Sequence, residues 1–315
     1  MRGPARIILL ILSSALLLSS CSAPKAGTPE TEKGKEESIL RPEDDPSVMM
    51  PKHGYTLEGS SEVGGRQGVA VSGDFIIVSG SKCLIRYDSD MNEIVRNDDP
   101  FEGLERDGNH LGDIDVCDGE IYAGVEFFED GIGKDIQIAV YDAETLELER
   151  TFPFEPESGQ TECSGIAVDP ERGSVYMCSW VGEESGRYLY EYDLTTGSYK
   201  GKIHLQMPPQ WIQGIACHEG DIYITADDGN ADDDECDHLY RATLIEGQSF
   251  ATVTLERTFD DVKMQGEIEG LSFDAKNGKL LLLYNRGAVI ILGMPSGFYP
   301  GYDREISEVY TYSIK

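Results

Sequence analysis

From Gly68 onward the apolar and polar positions follow a strand rhythm with almost no helical period. Five segments fall in register: Gln67-Gly-Val-Ala-Val71, Gly112-Asp-Ile-Asp-Val116, Ser164-Gly-Ile-Ala-Val168, Gln213-Gly-Ile-Ala-Cys217 and Glu269-Gly-Leu-Ser-Phe273. Their starts lie 45, 52, 49 and 56 residues apart. Turn residues follow each one (SGD at 72, DG at 118, DPERG at 169, HEGD at 218, DAKNG at 274), and then an apolar run: FIIVSG, EIYAGVEFF, SVYMCSW, DIYITA or KLLLLY. A third strand ends in Tyr87-Asp88, Tyr141-Asp142 and Tyr192-Asp193, with Leu239-Tyr240-Arg241 at the matching place in the fourth repeat. Segments such as ETLELERTF and TGSYKGKIHL supply a fourth strand. Four strands per repeat of about 50 residues, without a helix, predict a β-propeller.

The last repeat has two strands over 269–284 and two candidates for its third, AVIILG and residues 307–315. Val309-Tyr-Thr-Tyr312 matches Leu189-Tyr-Glu-Tyr192, which favours the second candidate, and no fourth strand follows. Tyr55-Thr-Leu-Glu-Gly59, just ahead of the first repeat, is placed to supply it. The expected fold is therefore an all-β propeller of five four-stranded blades closed by an N-terminal strand, with a sixth, degenerate blade as the alternative.

Residues 1–20 read as an export signal: Arg2 and Arg6 precede an apolar stretch over 7–18 that is too short to span a bilayer comfortably. The stretch ends Leu18-Ser19-Ser20-Cys21, which resembles the lipobox of bacterial lipoproteins. That resemblance implies cleavage before Cys21 and lipid attachment to it. Residues 21–52, rich in Pro, Glu, Lys and Ser, read as the lipidated Cys and a disordered tether, and residues 53–315 as the propeller domain. The expected location is outside the cytoplasm, on a bacterial cell surface or in the periplasm, with the membrane reached through the lipid.

Charge narrows the partners. With 26 Lys+Arg against 58 Asp+Glu the net charge is −32. Nucleic acid is excluded as a partner, because its phosphates are bound through excess Lys and Arg. Anionic headgroups likewise repel so acidic a body, leaving the lipid as its hold on the membrane. A monomer is expected.

The repeated Gly-[Ile/Val/Leu]-[Ala/Ser] starts, the Tyr-Asp ends and Glu267-Ile-Glu269-Gly270-Leu271-Ser272-Phe273-Asp274 resemble those of exported bacterial five-bladed propellers of the YncE-like and SdiA-regulated-like kind, over residues 54–315. The resemblance implies architecture and carries no catalytic residue, since propellers host binding proteins, hydrolases, lyases and scaffolds.

In a propeller the residues just before each first strand converge on one channel mouth. One position before the aligned Gly lie Gln67, Gly112, Ser164, Gln213 and Glu269; two earlier lie Gly65, His110, Glu162, Trp211 and Glu267. This set is more polar than filling a channel requires. The long loops FFEDGIGKD, VGEESGR and DDGNADDDECD emerge on the same face, which makes it the expected binding surface. His110, Glu162, Trp211, Gln213 and Gln67 are the candidate ligand contacts. Asp113, Glu267 and Glu269 are the candidate oxygen ligands for Ca²⁺ or Mg²⁺, and Asp115 shares the strand face of Asp113. The plainer account of Asp113 and Asp115 is hydrogen bonding to backbone or solvent in a wet channel. The acidic run over 227–235 fails the EF-hand pattern, because its Gly and Glu positions hold Asp233 and Leu239.

Six cysteines remain after Cys21, with no CxxC, and Cys163 with Cys178 is the nearest to a plausible bridge. GxSxG, HExxH and GxxxxGK[ST] are all missing. Two functions stand: a binding module that presents its mouth to a small molecule, glycan or protein, and a cation-dependent hydrolase or lyase using His110, Asp113, Glu162, Glu267 and Glu269.

Overall fold

The computed structural model describes residues 49–129, 132–180, 184–263, 265–291 and 294–315. The expected signal segment, Cys21 and most of the tether lie outside the described residues. No described helix is long and apolar enough to cross a membrane.

Strand β1 (Tyr55–Val63) precedes four antiparallel units built in chain order. The first unit is β2 (Gly68–Ser72), β3 (Phe75–Gly80), β4 (Cys83–Tyr87) and β5 (Glu93–Asn97); the second is β6 (His110–Cys117), β7 (Glu120–Glu129), β8 (Ile132–Asp142) and β9 (Leu148–Pro153). The third is β10 (Ile166–Asp169), β11 (Ser174–Met177), β12 (Tyr188–Asp193) and β13 (Tyr199–Gln206), and the fourth β14 (Ile212–His218), β15 (Asp221–Ala226), β16 (His238–Leu244) and β17 (Phe250–Thr258). These two share an edge, since β13 and β17 pair in parallel from His204↔Phe250 to Gln206↔Thr252.

The last unit contains β18 (Gly266–Asp274) and β19 (Lys279–Arg286), followed by a separate hairpin, β20 (Ala288–Ile291) with β21 (Met294–Phe298), and then β22 (Ile306–Ile314). Its third strand is β22, paired to β19 from Lys279↔Ser313 to Arg286↔Ile306, while AVIILG forms the hairpin instead. Its fourth strand is β1, paired to β22 from Tyr55↔Ile314 to Val63↔Ser307. The N-terminal strand thus completes the final sheet, and it runs four residues beyond the Gly59 expected from the sequence.

The repeated sequence features have local causes. Each first hairpin carries a glycine in the left-handed region (Gly73, Gly119, Gly173, Gly220 and Gly278), where a side chain would be strained. The Tyr-Asp ends are the corners before the fourth strands. There Asp88, Asp142 and Asp193 accept amide N–H bonds from the residues two to four positions on, while Tyr87, Tyr141 and Tyr192 are buried between sheets. In the fourth unit Arg241 lies within β16, paired with Tyr223 and Thr254, ahead of the corner. It is buried and ion-paired to Asp221 and Glu256.

Apolar burial is divided among five interfaces, each between consecutive sheets. Val69, Val78 and Ile85 of the first unit meet Leu281, Leu283 and Val309 of the last, so the ring closes on itself. This explains why second strands such as DIYITA are buried at every position, whereas the outer β5 and β9 show a mostly polar, partly exposed pattern.

Candidate functional site

The first strands of all five units begin at one end of the ring, where they enclose a cavity of about 420 Å³. Gln67, His110, Glu162, Gln213, Glu267 and Glu269 line it, one or two from each unit. Trp211 stands just behind the wall: its ring lies 4.9 Å from that of Trp180, which does line the cavity. Trp211 is held at a positive φ of 56°, and its carbonyl accepts the Asp227 N–H at 2.9 Å. Phe128 lines the cavity from near the end of β7, since the expected loop FFEDGIGKD is largely the paired tip of β7 and β8; Trp180, just ahead of the expected 181–187 loop, and Pro295 of the β20–β21 hairpin line it too.

Asp113 does not line the cavity. It is 1% exposed, and its Oδ2 accepts the Ile215 N–H across the channel at 3.1 Å. Inner strands crowd round it so closely that a Cβ at Gly270 would collide with its carboxylate, and one at Gly68 or Gly214 would come within 2.6 or 2.9 Å of it. Burial drives its pKa far above the usual carboxylate range against the pull of surrounding amides. Asp115 likewise serves backbone, accepting Val116 N–H and, from the third unit, Val168 N–H, both at 2.8 Å; burial pushes it up to about 6. The two aspartates tie inner strands together across the channel.

On one side of the mouth the charges meet a cation that the sequence reading overlooked. Arg66 places Nη2 3.2 Å from Glu267 and 3.8 Å from Glu269, and Nε 3.1 Å from Glu305. Asn285 donates to Glu269 at 2.6 Å and to the Arg66 carbonyl at 2.9 Å. Burial still dominates Arg66's pull, lifting Glu267 to about 7 and Glu269 well above its ordinary value. No three His, Cys, Asp or Glu ligand atoms at the mouth lie within 4.8 Å of one another among the described residues. Asp113, Glu267 and Glu269, expected to share a hard cation, are therefore not gathered at ligand spacing: Asp113 turns to a backbone amide, and Glu267 and Glu269 to Arg66 and Asn285.

On the other side His110 faces Glu126, with Nδ1 and Oε1 3.3 Å apart but not aligned for a hydrogen bond; both atoms are buried without a partner. Glu126 Oε2 accepts the Cys163 N–H at 3.1 Å, and Glu162 Oε2 accepts the Trp180 N–H at 2.6 Å. Burial raises Glu126; burial together with the Glu126 charge raises Glu162. Burial, aided by Arg66, lowers His110 to about 4. At neutral pH this side presents an uncharged imidazole beside carboxyls that resist ionisation, an arrangement able to accept and donate protons.

Glu126 had a signal in the sequence, as the only charge inside the apolar run IYAGVEFF. Arg66 had none beyond its place before Gln67. In the acidic run, Asp228 is taken by His238 Nδ1 at 2.7 Å and Tyr240 Oη at 2.5 Å. Cys163 and Cys178 are both buried and unbonded to each other.

No family model and no curated protein matches the chain. Among solved structures it is similar to the PQQ-bound aldose sugar dehydrogenase of Streptomyces coelicolor (13% identity, 84% of this chain and 99% of that one, TM-score 0.45). It is also similar to the gluconolactonase XC5397 of Xanthomonas campestris (11% identity, 79% and 72%, TM-score 0.46) and to the hydrazine synthase of Kuenenia stuttgartiensis (14% identity, 69% and 63%, TM-score 0.43).

Proposed function

We propose that this chain is an exported binding module, held to a membrane by a lipid on Cys21, whose mouth cavity takes a small ligand rich in hydrogen-bond donors, such as a polyol or the end of a glycan. The YncE-like and SdiA-regulated-like resemblance fits the same reading. The observation that carries the ligand assignment is the concentration of carboxyl and amide groups, able to donate and accept hydrogen bonds, in one cavity. Glu162, Glu267 and Glu269 line it with Gln67 and Gln213, and Glu126 stands behind with an unpartnered oxygen. Phe128 and Trp180 add apolar walls on which a ring can lie. A ligand bearing hydroxyls, which both donate and accept, would pair with these groups and cover the aromatic faces together.

Two experiments test the two halves of this reading. Cys21→Ser should leave the protein folded and move it from the membrane fraction to the soluble one; continued pelleting in high salt would refute the anchor. The soluble Cys21→Ser chain, screened by thermal shift against neutral mono- and disaccharides and polyols, should be stabilised by at least one class. Glu162→Gln and Trp180→Ala should each weaken that response. A response unchanged in both variants would place the ligand elsewhere.

The His110–Glu126 pair favours a second reading, a hydrolase or lyase with these two groups as proton carriers. A cation such as Ca²⁺ or Mg²⁺ would then have to displace Arg66 from Glu267 and Glu269. Turnover of a lactone or glycan that is lost in Glu126→Gln while binding persists would favour it over simple binding.

A further inference from the structure

At the opposite end of the ring from the mouth, the chain ahead of β1 is strapped across the fourth unit. The Lys52 and His53 amides donate to the buried Glu256 carboxylate at 3.0 and 2.9 Å, and Arg241 Nη2 donates to the Met50 carbonyl at 2.9 Å. Gly54 and Lys315 exchange backbone hydrogen bonds at 3.1 and 2.8 Å. The strap sets the His53 ring beside the turn between β14 and β15. His218 closes β14 there, five residues along the strand from Gln213 at the mouth, roughly 17 Å away at strand rise.

Three potential ligands meet at this turn. His53 Nε2 lies 3.6 Å from Glu219 Oε2, and His218 Nε2 lies 4.0 Å from Glu219 Oε1. One ligand atom from each residue falls within 4.8 Å of the other two. His53 Nε2 is buried with no hydrogen-bond partner, although a ring nitrogen normally finds one. The His218 ring is fixed by stacking on Phe273, with centroids 4.1 Å apart and planes 3° from parallel. Both imidazoles are 12% exposed, whereas Glu219 is 52% exposed and free to adjust. Lys52 Nζ already places a positive charge against this carboxylate, at 3.1 Å from Glu219 Oε2 and 3.4 Å from Asp221 Oδ2.

We propose that His53, His218 and Glu219 form a site for a divalent transition ion, Zn²⁺ by preference, which clamps the strap ahead of β1 to the turn between β14 and β15. Two imidazoles and one carboxylate are the ligand chemistry of zinc and its neighbours, and hard Ca²⁺ or Mg²⁺ take oxygen ligands instead. With bonds of about 2.0–2.1 Å, tetrahedral ligand atoms stand roughly 3.3 Å apart. Turning the half-exposed Glu219 carboxylate would bring the observed 3.6 and 4.0 Å toward that spacing. Lys52 would release Glu219 and keep Asp221, and the fourth position would go to water. The ligands come from chain positions 53, 218 and 219, so the site exists only when the strap is docked. Metal binding is thereby coupled to fastening the tether's end, and with it the closing strand β1.

The test uses the untagged, soluble Cys21→Ser chain stripped of metal. Zn²⁺ should raise its melting temperature where equal Ca²⁺ or Mg²⁺ does not, bind at one ion per chain by calorimetry, and slow tryptic cleavage after Lys52. Co²⁺ in its place should give the visible bands of a tetrahedral site. His53→Ala and His218→Ala should abolish the Zn²⁺ shift and the protection at Lys52, and Glu219→Gln should weaken binding at least about tenfold. Glu219→Gln alters a half-exposed side chain, so it decides the matter even where a histidine variant folds poorly. A Zn²⁺ response that survives His53→Ala with His218→Ala, no response in the parent, or an equal response to Ca²⁺ would each overturn the site.

Discussion

Glu267→Gln removes a charge that burial penalises, and its consequence depends on pH in a calculable way. The side chain is 12% exposed, and burial outweighs Arg66 in lifting its pKa to about 7. An unfolded Glu titrates near 4.5, so the difference from about 7 corresponds to about 3 kcal/mol. The folded state binds the extra proton between these values. The stability that Glu267 contributes is therefore fully present below about pH 4 and is lost as pH rises through about 7. Gln cannot ionise. Relative to the parent, the variant should gain almost nothing at pH 4 and about 3 kcal/mol at pH 8, or about 6 °C in melting temperature for a domain of this size. Scanning calorimetry of both proteins in chelator at pH 4, 6 and 8 measures the gap directly. A gap that does not change with pH, or a variant less stable than the parent at pH 8, would show that Arg66 fully compensates Glu267 and that the carboxyl is not under strain.

Two further outcomes follow from the ring. Gly270→Ala should cost about 2–3 kcal/mol by denaturant unfolding, because its Cβ would strike Asp113 and the Gly68 backbone, and adding Asp113→Ala should recover part of the loss; simple additivity would argue against the contact. Deleting residues 22–48 should leave the melting temperature unchanged, whereas deleting 49–63 should lower it by many degrees or abolish soluble expression, since it strips the last sheet of its fourth strand and exposes β22. Equal melting temperatures would refute closure by β1.

The fold was readable because a propeller repeats its solution. Every unit has a glycine in its first hairpin and the first three have an aspartate capping the corner after the third strand, so both recur at intervals that any register shift would destroy. The last unit was readable by the same rule, since Val309-Tyr-Thr-Tyr312 carries the third-strand pattern and AVIILG does not. What the pattern left unmarked is the β20–β21 hairpin, which packs over the mouth as an insertion and repeats nothing.

The mouth was only half readable, for a physical reason. Strand starts are in register, so the residues beside them could be placed on one face without a structure, and Gln67, His110, Glu162, Gln213 and both glutamates of the last unit do share one cavity. Which atom each side chain satisfies depends on partners in other units, and no repeat encodes that. Asp113 looked like a cation ligand because it is a carboxylate at a first-strand start, but the glycines opposite it leave room for its side chain and no more. Arg66 carried no signal beyond its place before Gln67, yet it pairs with Glu267, Glu269 and Glu305. The same limit applies with greater force to His53, which meets His218 and Glu219 from 165 residues away and has no local spacing that could have announced a ligand. Pairings within a unit follow from periodicity; pairings between units follow from the ring, and the contacts of Arg66, Asp113 and His53 are all of the second kind.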